Sequence, residues 1–130
     1  MEKEFVPYEQ ALALKELGFD EPCFGYYDNQ RKEIDTISTD VCERLCKHDT
    51  HIKAPSFSQA FRWFRKKQAI EGFIHKAIEG AYYFVIKRLG NNENNMYEFI
   101  TNAPKNVDTY EEAELECLKK LIEIVETKSE

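Results

Sequence analysis

The chain contains no apolar run approaching the 18 or so residues that a membrane-crossing helix needs. It also lacks a Gly-rich phosphate loop, H-E-x-x-H, G-x-S-x-G and C-x-x-C, so the familiar nucleotide-hydrolase, zinc-protease, serine-hydrolase and dithiol signatures are missing. Histidine is scarce, limited to His48, His51 and His75. His75 lies between Ile74 and Lys76 in a strand pattern and reads as a half-exposed strand residue, not a general base. No spacing pairs Cys23 or Cys117 with it as a thiol nucleophile. Carboxylates abound, but an acid–base pair needs a cleft, and these fall on solvated helix faces. The absences argue against catalysis, and no cofactor is implied. The opening MEKEFVPYEQ lacks the basic and apolar pattern of a signal peptide. A cytoplasmic setting is therefore expected, with Cys23, Cys42, Cys46 and Cys117 reduced.

What is present indicates one folded domain spanning residues 1–130. At 130 residues with 42% hydrophobic content, including nine Phe and seven Tyr, the chain can bury a core without staples. The net charge of -6 gives no general attraction to DNA or to an anionic membrane. Its distribution is uneven. Between Phe61 and Gly90 seven Lys or Arg face only Glu71 and Glu79, a local excess of five positive charges in an acidic protein. Such an island favours a local anionic ligand or an acidic partner over a long polyanion. The alternative is that it is cancelled locally by the acidic C-terminal helix.

The stretch 55–68, PSFSQAFRWFRKKQ, concentrates these features. Pro55 discourages helix through Ala54, and Ser56 with Gln59 forms an S-x-x-Q capping box. Phe57, Ala60, Phe61 and Phe64 follow at helical spacing as a core stripe. Gln59, Arg62, Trp63 and Lys66 fall on the opposite side, flanked by Arg65 and Lys67. Two readings of Trp63 stay open. It either seals a second packing contact, or offers a stacking platform ringed by cations for a nucleotide-like ligand.

Along the rest of the chain, Pro7 and Gly18 bracket a helix over 6–19, with Phe19 folding back on Leu14 as a Schellman partner. Residues 23–27 and 32–37 read as a hairpin. A short helix capped by Thr39 follows within the uncertain segment 39–51. That segment holds Cys42-x3-Cys46-x-His48-x2-His51, soft ligands sufficient for zinc, but the spacing fits no finger pattern and no metal is assigned. Strands are expected at 73–78, 81–89 and 96–101, with polar loops at 90–95 and 102–107. In the middle strand Tyr83, Val85 and Lys87 share one face, and Tyr82, Phe84, Ile86 and Arg88 the other. Thr109 and Glu112 cap a last helix to about Thr127, with a wide apolar face and a Glu116–Lys120 pair. The sum is an α+β fold: a mainly antiparallel sheet, hairpin plus three-stranded unit, packed by two long helices with a further N-terminal helix.

The residues PYEQALALKELGFDEPCFGYY (7–27), APSFSQAFRWFR (54–65) and YEEAELECLKKLIEIV (110–125) give the chain a resemblance to small uncharacterised proteins of Bacteroidota genomes, their phages and mobile elements. That resemblance implies a mobile-element setting and carries no activity, cofactor or site.

The expectation is therefore a non-enzymatic binding protein. Its basic, aromatic face would comprise Gln59, Arg62, Trp63, Arg65, Lys66, Lys67 and Lys87 or Arg88, holding a small anionic ligand or an acidic protein surface. Two alternatives remain: a βββα module that binds nucleic acid, disfavoured by the acidic composition, and a homodimer through the wide face of the C-terminal helix. No membrane partner is expected.

Overall fold

The computed structural model describes residues 4–28, 30, 32–47, 50–77, 80–89, 97–102 and 107–128, with backbone only at 89, 97–102 and 128. The elements, in order, are α1 (Tyr8–Glu16), β1 (Gly25–Asp28), β2 (Ile34–Thr36), α2 (Thr39–Leu45), β3 (His51–Ala54) and α3 (Phe57–Trp63). A π-helical turn (Phe64–Gln68), β4 (Ile70–Lys76), β5 (Tyr82–Leu89), β6 (Tyr97–Asn102) and α4 (Tyr110–Lys128) complete them. The class is α+β, as expected. The chain divides into two compact units, Met1–Ala60 and Phe61–Glu130, and the boundary falls within α3.

In the first unit α1 is shorter than the expected 6–19. Pro7 serves as its N-cap, its carbonyl accepting from Ala11 N–H at 2.8 Å, while Val6 N–H is already bonded to Pro55 O at 2.9 Å. The C-terminus follows the expected Schellman geometry. Phe19 N–H reaches Leu14 O at 3.0 Å and Gly18 N–H reaches Lys15 O at 3.1 Å, with Gly18 at φ 102°. β1 pairs antiparallel with β2, giving the expected hairpin, and also with β3, which the sequence reading missed. Leu14, Phe19, Cys23, Tyr27, Cys42 and Ile52 are buried in this unit's core. Ser38, not Thr39, caps α2.

In the second unit β4, β5 and β6 form an antiparallel sheet in sequence order. Glu112 N–H donates to Thr109 Oγ1 at 3.1 Å, so Thr109 caps α4. The helix then lays Ala113, Cys117, Leu118, Leu121, Ile122 and Val125 into the core and packs on β4 and β5. Gly72 permits that approach, since a Cβ there would lie 2.6 Å from Cys117 Sγ. The wide apolar face, expected to cover a sheet or a sheet plus a dimer partner, covers β4 and β5. The expected Glu116–Lys120 pair is replaced by two i,i+3 pairs, Lys119–Glu116 at 3.3 Å and Lys120–Glu123 at 3.2 Å. Such exposed pairs contribute only ~0.2–1 kcal/mol each. The loops expected at 90–95 and about Pro104 lie outside the described residues. No helix among those residues is long and apolar enough to cross a membrane.

Two predictions follow from α4. Gly72→Ala should destabilise the second unit by about 1–3 kcal/mol through overpacking against Cys117. Combining it with Cys117→Ala should recover part of that loss, as read by urea denaturation. Burial, and then the charge of Glu111, holds the Glu114 carboxyl above its usual range. A raised carboxyl favours the folded state most below its unfolded value of about 4.3, and that contribution is lost as pH rises through the folded value. Glu114→Gln should therefore raise the thermal midpoint at pH 7 and leave it nearly unchanged at pH 4.

Candidate ligand-binding face

The strand register decides which side chains share a surface. Gly72 faces α4, so Ile70 and Ile74 do too, and their cross-strand partners Arg88, Ile86 and Phe84 take the same side. The alternate residues Glu71, Phe73 and His75 lie on the other face, opposite Lys87, Val85 and Tyr83. Here His75 and Tyr83 stack at 5.2 Å with 21° between their planes. Phe73 lies 6.4 Å from His75, and the Lys87 ammonium sits 5.2 Å over the Phe73 ring. His75 is exposed, Phe73, Tyr83 and Lys87 are half-buried, and Val85, opposite Phe73, is buried at 8% exposure.

The basic helix end joins this row at one point. Arg65, on the π-helical turn, reaches Glu71 at 3.6 Å, and Glu71 is directly opposite Lys87. Arg65, Lys66 and Lys67 are all exposed, as is Arg62 on the preceding turn. The π turn ends at Ala69, which takes left-handed angles (φ 56°) as the chain turns into β4. Within one unit there is thus a continuous run: Arg65, Glu71, Lys87, Phe73, His75 and Tyr83. A cation thus lies over one ring face, with two mutually stacked rings beyond it.

The structure corrects three of the expected site residues. Trp63 is 4% exposed and meets Phe64 edge-on at 5.0 Å, so its indole offers no stacking face. Ala60, Trp63 and Phe64 are all buried, meaning that α3 packs on more than one side and the large apolar ring gains more from burial than from solvent. Gln59 lies in the first unit, where its Nε2 donates to Pro22 O at 2.9 Å. Ser56 Oγ accepts from Gln59 N–H at 3.1 Å, as a capping box requires, but the Gln side chain is spent on the 21–22 segment. Arg88 shares the α4 side of the sheet, away from Lys87. Phe73, His75 and Tyr83 were not assigned from sequence, although the alternation in both strands contains them.

Of the zinc-like motif, Cys42 Sγ and Cys46 Sγ lie 3.8 Å apart and the His51 ring contacts Thr50 Oγ1 at 2.9 Å. His48 lies outside the described residues. Among those residues no three His, Cys, Asp or Glu are grouped to hold a metal ion.

Set against family models, curated proteins and solved structures, the chain matches none of them.

The buried indole has a direct optical consequence. Trp63 is the sole tryptophan, so the native protein should show blue-shifted emission resistant to iodide, reverting to red, quenchable emission in denaturant.

Proposed function

We propose that the chain is a non-enzymatic binding protein that holds a small, flat, anionic ligand of nucleotide type at the His75 edge of the β4–β5 face turned away from α4. The observation that supports this reading is the Lys87–Phe73–His75–Tyr83 row, linked through Glu71 and Arg65 to the basic helix end. The rings stack the planar part, and Lys87 with Arg65, Lys66 and Lys67 meets the charged part. The resemblance to mobile-element proteins adds a setting, in which sequestering a nucleotide-like signal is the concrete role. A second reading, single-stranded nucleic acid, draws on the same rings because every base has a stacking face. The acidic net charge weighs against it.

Calorimetric titration with a panel of nucleoside mono-, di- and triphosphates tests the proposal. His75→Ala, at an exposed position, and Lys87→Gln should each weaken binding by roughly 5- to 150-fold, equivalent to about 1–3 kcal/mol. Lys120→Gln on α4 should leave it unchanged. No binding across the panel, or equal binding by both face variants, would remove the reading. Tighter binding to oligonucleotides with a steep salt dependence would select the second.

A further inference from the structure

The sheet of the second unit ends in β4, and its ladder shows which backbone groups that strand turns outward. Tyr82 N–H donates to Val107 O at 2.8 Å, and Val107 N–H donates to Tyr82 O at 2.9 Å. The backbone groups of Tyr82 therefore point away from β4, and those of Lys76, opposite it, point away from β5. Alternation carries the same direction to Ile74, Gly72 and Ile70. These outward groups have no hydrogen-bond partner among the described residues. Such an edge is a template for a further strand. β4 runs for seven residues without proline, its register with β5 has no bulge, and its only charges of fixed sign are Glu71 and Lys76. In the other sheet, by contrast, the edge strand β2 turns Thr36 N–H back onto Asp35 Oδ1 at 2.9 Å.

We propose that β4 pairs antiparallel with β4 of a second copy, joining two three-stranded sheets into one about a two-fold axis at Phe73. The inference does not rest on the ligand reading. Across this edge the outward groups of Ile70, Gly72, Ile74 and Lys76 must face their own kind. The register of complete overlap sets Ile70 opposite the second copy's Lys76 and Gly72 opposite the second copy's Ile74. That gives up to about eight hydrogen bonds, two for each narrow pair. The same register sets Phe73 opposite itself at a wide pair, where Cα atoms approach to about 4.5 Å and side chains come closest. It also sets Glu71 opposite the second copy's His75, once on each side of the axis. The strand is thus complementary to its own reverse: carboxylate meets imidazole, ring meets ring, and no like charges are opposed. Glu71 also contacts Arg65 at 3.6 Å, so its charge reaches the junction already partly matched. Residues that face α4 oppose residues that face α4, so both helices lie on one side of the joined sheet. With strands about 4.8 Å apart, a helix seated over β4 and β5 lies about 10 Å from its symmetry mate, a normal interaxial distance. Each copy has one β4, so the contact closes at two.

Sedimentation equilibrium of the full-length, reduced protein without ligand tests the pairing. The mass should rise with concentration from one chain to two and stop there. His75→Glu, which sets carboxylate against carboxylate on both sides of the axis, should raise the dissociation constant about 10-fold or more. Glu71→Lys should also weaken the dimer, and the double variant Glu71→Lys with His75→Glu should restore it. Lys76→Pro, at an exposed position whose N–H points away from β5, should weaken the dimer while retaining the native thermal midpoint. A monomer at every concentration or growth beyond two chains would overturn the proposal. So would a dimer that His75→Glu and Lys76→Pro leave intact, or a double variant no tighter than either single one.

Discussion

With no side chain at Gly72, α4 can settle onto β4 until Cys117 Sγ occupies the space where a Cβ would lie, 2.6 Å from its ideal position. That contact fixes more than one local distance. A strand alternates, so once Gly72 is turned toward the helix, Phe73 and His75 must turn away from it. The antiparallel register then carries the same sidedness to Tyr83, Val85 and Lys87 on β5. The aromatic row on the face turned away from α4 is thus a geometric consequence of a close approach on the other. A slip of one residue between the strands would send Lys87 under α4 and Ile86 into solvent, which the burial of Ile86 forbids.

Most of the helices and strands were legible because they rest on local chemistry. Gly18 and Phe19 announce a Schellman stop, Thr109 an N-cap, and the AYYFVIKRL alternation a strand. β3 was hidden because HIKA is short and follows a stretch whose cysteines and histidines suggest ligands. The candidate face was legible only in half. Alternation put Tyr83 and Lys87 together, but cross-strand register is a long-range property, so nothing in the one-dimensional pattern placed Phe73 and His75 beside them. Trp63 shows the opposite failure. A helical wheel separated it from the Phe stripe, and only packing on a second side of α3 explains why both are buried.

Cysteine location illustrates how context divides one chemistry into two. Cys117 lies deep in an apolar helix–sheet contact, where burial pushes its thiol up to about 12 and no cation opposes the shift. Cys42 and Cys46 carry raised values of the same origin, yet a sulfur neighbour, a lysine and an open cleft accompany them. The first is packing material. The second pair instead lies beside the charged group in which Lys53 bridges Glu43 and Asp20.

An acidic protein proposed to hold an anion needs a reason why its own charge does not prevent it. At physiological ionic strength potentials decay over about 8 Å, so a bound group senses mainly the charges that touch it. Beside the ring row those charges are Lys87 and Arg65 against a single Glu71, with Lys66 and Lys67 exposed on the same turn as Arg65. A compact ligand lies wholly within that neighbourhood. A long polyanion would run past it, into the field of a chain whose remaining residues are strongly acidic. The same screening that makes the net charge irrelevant to a nucleotide makes it decisive against an extended strand, and this asymmetry places the small-ligand reading ahead of nucleic-acid binding.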